Sequence, residues 1–298
     1  MVRVGHDGSG TASLTSSTLN TGDGSVIIAG QPGSTGTLTL SAGSVVNTGY
    51  VGVGSTPSAS PGITQNPGGA GNLVLNNSTI NTTTFEIGAL GVLSGDGGVI
   101  HAAGNVIVGG TISPGNSPGR IVINCNIITL PGSHLILDVL AVGGGYNIDQ
   151  LVIGNGSTFD LSKLQIVFNF LGNTDPTAFA ASGGFDLDHF LRSGLATGDL
   201  DLSTAFATGQ TWATVVDASQ ISAVSSAYDV TQLSLKADGS FDVTVAAVPE
   251  TYTWGLMFAG LLFVAVARVR TRSRVVAQGA ARARGAKPLT AGHLLRGS

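Results

Sequence analysis

The chain has 298 residues and a formal net charge of −4, with 45 glycines, 42% hydrophobic residues and only 10% charged residues. This composition favours strands and turns over helices, and it excludes a disordered chain because enough apolar residues are present to form a core. Residues 1–250 carry 17 acidic and 5 basic residues, whereas 8 basic and no acidic residues follow from Arg268. The acidic body offers no basic stripe, which excludes nucleic acid as a partner.

The first residues, MVRVGHDGSGTASL, contain no apolar stretch of the kind found in export signals. They begin inside a repeat: GTASLTSSTLNTG from Gly10, GTLTLSAGSVVNTG from Gly36 and GNLVLNNSTINT from Gly71 share one frame. In each copy, apolar residues stand two and four positions after the glycine. We therefore expect the chain to be truncated at its start, with an export signal upstream.

A second glycine recurs before each copy, and its spacing sets the period of the repeat. It stands at Gly5, Gly30, Gly54 and Gly88, at intervals of 25, 24 and 34 residues, and the longest interval contains a Pro- and Gly-rich insert at Ser55–Gly69. A nearly constant period with insertions at one point predicts a β-solenoid whose loops leave one face. We expect the insert to be an exposed loop.

The alternation inside each copy predicts which side chains are buried. Side chains of a strand alternate between its two faces, so Leu38 and Leu40 should point into one interior together with Leu73 and Leu75, and the intervening threonines should point outward. A β-sandwich uses the same alternation and remains the alternative, but the regular period favours stacked coils. Cys125, the only cysteine, alternates with apolar residues and is expected to be a small buried side chain.

The pattern changes after the repeat region, which we place at residues 1–159. Residues 160–247 are less periodic and are expected to form a β-rich cap over the end of the solenoid. Within them, TDPTAFAASGGFDLDHFLRSG indicates a loop with a short helix. YDVTQLSLKADGSFDVTVAAV indicates two strands joined at Ala237–Gly239, a β-hairpin.

Acidic residues in this second region are the main candidates for metal binding. Asp186 and Asp188 precede His189, and Asp199 and Asp201 follow, but the twelve-residue spacing of a calcium loop is missing. We therefore interpret them as a solvated acidic loop. Carboxylates in the repeat region are too dispersed to assign a glycosidase pair, and the glycine-containing stretches lack the lysine of a phosphate-binding loop. No catalytic residue, metal or cofactor is predicted.

Between Glu250 and Arg268 lie seventeen uncharged residues, 251–267, followed by an arginine-rich run. Seventeen helical residues are about 25 Å long, at the short end of what crosses a bilayer. A buried core helix is the alternative, but the segment lacks amphipathic periodicity. We expect a membrane-spanning helix with its basic flank in the cytoplasm and residues 1–247 on the other side.

The same stretch, VPETYTWGLMFAGLLFVAVARVRTR, resembles the PEP-CTERM sorting signal of Gram-negative bacteria. The residues that match are Val248, Pro249, Glu250, Trp254, Arg268, Arg270 and Arg272. Thr251 replaces the usual second proline, and the basic tail at 273–298 extends past the point where such signals end. The resemblance implies transient anchoring of residues 248–272 in the inner membrane, cleavage by an exosortase-type enzyme, and release to the cell surface or extracellular matrix.

The repeat region has a resemblance of its own, to the β-helical repeats shared by autotransporter passengers and PEP-CTERM proteins. It rests on GTLTLSAGSVVNTGYVGVGS, on GTISPGNSPGRIVI, and on a Tyr-x-x-Asp-Gln-Leu element at Tyr146, Asp149, Gln150 and Leu151. Together these observations predict an all-β protein: a single-stranded β-helix or solenoid with a C-terminal β-rich cap and one transmembrane sorting helix.

Two functions are compatible with such a scaffold. The first is a structural or adhesin-like protein of the surface or matrix, with extracellular polysaccharide as a possible partner. The alternative is a polysaccharide-active lyase or hydrolase, which rests on analogy of fold alone. An acidic groove with two facing carboxylates would favour the enzyme, whereas a plain ladder of Ser, Thr and Asn would favour the structural protein.

Overall fold

The computed structural model describes residues 1–57, 66–115, 118–154, 156–183, 185–195 and 198–247. Residues 1–247 form one compact unit, and the described residues all belong to it. The structure of this unit is dominated by β-strands.

The strands are numbered in chain order. Those of the repeat region are β1 (Val2–Val4), β2 (Ser9–Thr15), β3 (Thr18–Ile28), β4 (Thr35–Ser41), β5 (Val45–Val53), β6 (Ser55–Thr56), β7 (Asn66–Pro67), β8 (Ala70–Leu75), β9 (Thr79–Thr82), β10 (Thr84–Ile87), β11 (Val92–Gly95), β12 (Gly98–Val108), β13 (Thr111–Pro114), β14 (Arg120–Thr129), β15 (Ser133–Val142), β16 (Gly145–Ile148) and β17 (Gln150–Gly154). Those that follow are β18 (Leu164–Phe170), β19 (Leu191–Leu195), β20 (Gly198–Asp201), β21 (Ile221–Ser225), β22 (Tyr228–Leu235) and β23 (Phe241–Ala247). Short helices are α1 (Pro176–Ala181), α2 (Leu187–Phe190) and α3 (Trp212–Val215), with 3₁₀ turns at Leu202–Ala205 and Ala218–Gln220.

Two large sheets run along the molecule, and their successive neighbours are mostly parallel. One has the order β1-β3-β5-β10-β12-β14-β17-β19-β20, and the other has the order β2-β4-β8-β11-β13-β15-β18-β21. Val2 pairs with Val26 and Thr11 pairs with Thr37, so the chain returns to the same place after about one repeat. We call each such return a coil. This parallel stacking confirms a mostly β, solenoid-like fold and differs from the antiparallel pairing of a β-sandwich.

The inward rows of the stacked strands form the core. Leu38 pairs with Leu73, and Leu40 pairs with Leu75, and all four are at most 3% exposed. The prediction that these leucines share one interior is therefore confirmed. Cys125 is also buried, as predicted, and burial raises the pKa of its thiol. Apolar rows stack on apolar rows because the pairing register keeps alternate side chains on one side.

The repeat glycine of the second coil is not where the sequence pattern placed it. Val4 pairs with Ile28, and Ile28 pairs with Val53, so the position that follows is Gly5, then Ala29, then Gly54. Ala29 adopts φ 53°, in the left-handed region that Gly5 and Gly54 also occupy. Gly30 is thus one residue past the position that aligns with Gly5 and Gly54. The glycine spacing misled here because the fully buried Ala29 adopts a backbone conformation that glycine usually occupies.

The insert at Ser55–Gly69 was predicted to be an exposed loop, and this is only partly true of its described ends. Pro57 and Pro67 are exposed, whereas Ser55, Gly68 and Gly69 are buried. The ends pair with each other as a short antiparallel ribbon, β6 with β7, and Gly69 N–H donates to the carbonyl of Ala29. The ribbon therefore begins and ends packed on the second coil, since buried backbone groups need partners. Residues 58–65 lie outside the described residues.

Parallel stacking continues beyond residue 159. β18 pairs with β15 along its whole length, and β21 pairs with β18, both in parallel. The predicted hairpin is confirmed as β22 and β23, an antiparallel pair, and short helices form at α1 and α2. Aromatic rings fill this end of the core, with Phe168 and Phe241 in an edge-to-face contact at 4.8 Å.

The inward rows generate a prediction about stability. Replacing the fully buried Leu40 with alanine should lower the free energy of unfolding by about 2–5 kcal/mol. The substitution leaves a cavity between coils, and the hydrogen bonds that join the coils prevent them from moving to fill it. The matched control is Thr39→Ala on the same strand, which removes an outward side chain and should change stability by about 0.5 kcal/mol or less. Urea denaturation of both variants measures the difference. Equal effects would mean that the inward row does not carry the stability.

Candidate functional site

The sorting residues predicted from the sequence all lie outside the described residues. They are Val248, Pro249, Glu250, Trp254, Arg268, Arg270 and Arg272, together with the apolar segment 251–267. In the part of the chain that the structure describes, no helix is long and apolar enough to cross a bilayer.

The acidic residues after residue 185 have separate local roles. Asp186 is the N-terminal cap residue of α2, and its Oδ1 lies 2.8 Å from His189 Nδ1. Asp188 accepts from Ser203, through the backbone N–H at 2.9 Å and the hydroxyl at 2.6 Å. Asp201 forms an ion pair with Arg192. Each of these carboxylates therefore contacts a different partner, and they do not share one site. The side chain of Asp199 is not among those that the structure describes. Within the described ranges, no group of three or more His, Cys, Asp or Glu residues could hold a metal ion.

Asp149 is a fully buried carboxylate of the solenoid that joins two backbone segments. Its Oδ1 accepts from Gly119 N–H at 2.7 Å, and its Oδ2 accepts from Asp138 N–H at 2.9 Å. Burial raises the pKa of Asp149 to about 7 against the opposing effect of these two donors, and the negative charges of Asp138 and Asp96 add to the rise. Both oxygens are already used, so this carboxyl group is a structural link between coils.

The neighbours of Asp149 in the Tyr-x-x-Asp-Gln-Leu element have related roles. Tyr146 packs edge-to-face on Phe179 of α1 at 5.0 Å. Gln150 donates from its side-chain amide to the carbonyl of His189 in α2 at 3.1 Å. The element therefore fastens the helices of the distal end to the coil beneath them.

Glu86 is a second buried carboxylate, and its burial was not predicted from the sequence. It accepts a hydrogen bond from the Tyr50 hydroxyl at 2.6 Å, which in turn lies 3.2 Å from the hydroxyl of Ser55. Burial raises the pKa of Glu86, and burial together with the contact with Glu86 raises the pKa of Tyr50. The residues that pair with Glu86 on the two adjacent strands are Gly52 and Ile107, and neither is charged. In the sequence, the burial of Glu86 is indicated only by its position in FEI, between the two core residues Phe85 and Ile87.

An open groove of the repeat region runs along the outer face of the second sheet, with a volume of about 550 Å³. We call it the hydroxyl groove, and its described lining is Ser9, Gly10, Thr11, Thr35, Gly36, Thr37, Ala70, Gly71, Asn72, Leu90, Val92, Ser94, Thr111, Ser113 and Ile136. One in-register row in it runs Thr11, Thr37, Asn72, Val92 and Thr111. Adjacent strands lie about 4.8 Å apart, so the five rungs extend over roughly 20 Å.

The chemistry of this groove is uncharged. None of the described residues that line it is ionisable, and its polar groups are hydroxyls and one amide. The Oδ1 atom of Asn72 is buried and has no hydrogen-bond partner within the described structure. Leu90 stands 61% exposed beside these polar rungs and gives the groove an apolar wall. The arrangement can bind a neutral ligand that offers both hydroxyl groups and apolar faces.

A neighbouring face carries an amide ladder. Asn81 donates to Asn47 at 2.8 Å, and Asn47 donates to Asn20 at 2.6 Å. The next rungs of the ladder are His101 and Asn124, whose side-chain nitrogens lie 3.2 Å apart. These amides bond to one another along the stack, so fewer of their groups are available to a ligand than in the hydroxyl groove.

A second groove, of about 590 Å³, lies near the distal end. Its described lining includes Phe159, Leu202 and Phe206 as apolar walls, with Thr158 and Gln210 as polar groups. It is shared between the solenoid end and the turns that follow, and the sequence analysis did not anticipate it because its residues are far apart in the chain.

Comparison of the chain with protein-family models, curated proteins and solved structures finds no significant match.

The buried carboxyl group of Asp149 predicts how stability depends on pH. Its pKa is about 7 in the folded chain and about 3.8 in the unfolded chain, so the folded state binds the proton more strongly. Stability from this group is complete below pH 4 and is lost as the pH rises through 7, by roughly 4 kcal/mol in total. Glu86, whose pKa is also raised, acts in the same direction.

Urea unfolding of the purified chain at pH values from 4.5 to 8.5 measures this effect. Asp149→Asn should flatten the decline in stability with pH, although it should lower stability at every pH because an amide cannot accept from both N–H groups. The matched control is Asp229→Asn at an exposed position, which should leave the decline unchanged. An unaltered decline in Asp149→Asn would refute the assignment.

Proposed function

We propose that this chain is an exported structural or adhesin-like protein whose capped β-solenoid binds neutral polysaccharide along the hydroxyl groove. The observation that carries the proposal is the groove itself, an uncharged row of hydroxyl and amide groups repeated on adjacent strands. A linear polysaccharide presents the same hydroxyl groups at regular intervals. A surface that repeats its own donors and acceptors at a fixed spacing fits such a polymer better than it fits a compact ligand.

The apolar members of the groove support the same ligand class. Sugar rings have C–H faces that pack on apolar side chains, and Val92 and Leu90 lie beside the polar rungs. The absence of ionisable groups from the described lining favours a neutral polymer over an acidic one, since acidic sugars are held by Arg and Lys.

The alternative, a polysaccharide-cleaving enzyme, has less support. Hydrolysis needs two carboxyl groups about 5–9.5 Å apart on either side of the substrate. Of the two strongly buried carboxylates described above, Asp149 already accepts two backbone hydrogen bonds and Glu86 is fully covered, and neither lines the hydroxyl groove.

The C-terminal segment completes the proposal. Residues 251–267 form a transient inner-membrane helix, and an exosortase-type enzyme cleaves near Pro249–Glu250 to release the body to the surface or matrix. The support is the order of parts in the sequence: an acidic body, seventeen uncharged residues, and then arginines. Burial of apolar side chains in lipid drives insertion, and the arginines fix the orientation.

The groove is tested by binding of the purified chain to a panel of neutral glucans, measured by calorimetry. Thr37→Glu places a charge and a longer side chain in the centre of the groove and should weaken binding at least tenfold, about 1.4 kcal/mol. The matched control is Ser222→Glu, an exposed serine on the same sheet but outside the groove, which should bind like the parent. Equal affinities of the two variants, or no binding to any neutral glucan, would contradict the groove assignment.

The sorting segment is tested by fractionating cells that express the chain, with an added export signal, with and without an exosortase. Membrane-bound precursor without the enzyme and a shorter released product with it are expected. Leu261→Asp with Leu262→Asp should abolish anchoring, because the two aspartates add roughly 5–7 kcal/mol to the insertion free energy. The control, Leu261→Phe with Leu262→Phe, keeps the segment apolar and should anchor normally. A soluble, full-length product from parent and variants alike would refute the anchor.

A further inference from the structure

The outward row of the hydroxyl groove continues beyond the five rungs described above. Its fifth residue, Thr111 of β13, pairs with His134 of β15. His134 in turn pairs with Gln165 of β18. Residues that pair in register on parallel strands present their side chains on the same face of the sheet, so the imidazole and the amide extend the row by two rungs.

The groove itself reaches this part of the sheet. Ile136 belongs to its described lining and lies two positions after His134 on β15, so both side chains stand on one face. Ile136 pairs with Val167, which lies two positions after Gln165, and both apolar side chains are half-buried. The two added rungs therefore place a polar row beside an apolar row, which is the combination found in the groove beside Leu90.

Both added side chains are accessible, and the fold does not use their polar groups. His134 is exposed and Gln165 is half-buried. Within the described structure, neither side chain forms a hydrogen bond with another group of the chain. In the amide ladder, by contrast, the side chains of Asn47 and Asn81 bond to each other at 2.8 Å. The imidazole and the amide of the row therefore keep their donors and acceptors for a ligand.

The row ends at Gln165. The position that corresponds to it on the next strand is Gln220, which directly precedes the first residue of β21. The side-chain amide of Gln220 is buried and donates to the carbonyls of Leu161 and Leu164, at 2.7 and 2.8 Å. Because this amide is turned inward and already bonded, a ligand on the outer face does not reach it.

The length of this row sets a requirement on the ligand. The five rungs of the groove together with His134 and Gln165 make seven, and six steps of about 4.8 Å give roughly 29 Å. A single sugar contacts only a few of these rungs, and a coiled chain turns away from the sheet after a few units. A chain in an extended conformation presents hydroxyl groups along its whole length and reaches every rung, so its contacts act together.

We propose that His134 and Gln165 form the distal end of the polysaccharide site, and that the completed row selects a neutral glucan in an extended conformation. This inference rests on the proposed function of the hydroxyl groove and names the conformation of the polymer that binds there. The imidazole ring of His134 packs on the C–H face of one sugar ring, beside Ile136. The amide of Gln165 exchanges hydrogen bonds with the hydroxyl groups of the next unit.

The first test measures how affinity depends on the length of the ligand, by calorimetry of the purified chain. The probes are cello-oligosaccharides of two, four and six glucose units, which are extended chains. Affinity of the parent should rise with each increase in length, because a longer probe contacts more rungs. Replacing both residues, His134→Ala with Gln165→Ala, should weaken binding of the six-unit probe at least tenfold and change binding of the two-unit probe less than twofold.

The matched control is His101→Ala with Gln232→Ala, which removes the same two types of side chain at exposed positions outside the row. This variant should bind every probe like the parent. Malto-oligosaccharides of the same lengths, which coil, are the second set of probes. They should bind the parent more weakly than the extended series and should gain little affinity between four and six units.

The outcomes separate this inference from the proposed function. Suppose that Thr37→Glu weakens binding of the six-unit probe while His134→Ala with Gln165→Ala leaves it unchanged. The ligand then lies in the groove alone, and the extension of the row is overturned. An equal loss of affinity for short and long probes in the double alanine variant would also overturn it, because the effect would then not come from two terminal rungs. Equal binding of the extended and coiled series would overturn the selection of an extended chain, and no binding of any probe by the parent would overturn both proposals.

Discussion

The parallel backbone pairing between successive coils is the constraint on which the rest of this structure depends. One coil has too few residues to enclose its own apolar side chains, so each inward residue is buried by the coils on either side of it. Leu38 between Ala12 and Leu73 is an example, because pairing aligns all three in one row. Backbone hydrogen bonds therefore decide not only the shape but also which side chains form the core.

The same pairing repeats polar groups as faithfully as apolar ones. Outward residues stack in register, which produces both the amide ladder through Asn47 and the row of hydroxyl groups through Thr37. In the ladder the amides satisfy one another, whereas the hydroxyl row leaves donors and acceptors facing an open groove. A repeated polar surface is thus a direct consequence of the stacking and needs no separately constructed pocket.

Features that depend on a few neighbouring residues could be predicted from the sequence, whereas features that depend on contacts between coils could not. The alternation around Leu40 and the turn at Ala237–Gly239 are local patterns, and both predictions are confirmed. The repeat position of the second coil was placed one residue too late, at Gly30, because only the pairing register shows that Ala29 aligns with Gly5 and Gly54. The burial of Glu86 was not predicted, because it depends on residues that are distant in the sequence. Tyr50, which bonds to Glu86, belongs to a different coil, and Ser55 belongs to the insert.

Contacts between side chains complete the core where the regular stacking ends, whereas the coils before that point form the surface of the proposed role. At the distal end, Asp149 and its neighbours fasten the last coils to α1 and α2, where the buried rings of Phe179 and Phe190 complete the core. Along the coils before that end, the outward row through Thr37 repeats at each rung, and a polymer that contacts several rungs gains affinity from all of them together. The backbone pairing that builds the core would therefore also set the spacing at which the proposed groove meets its ligand.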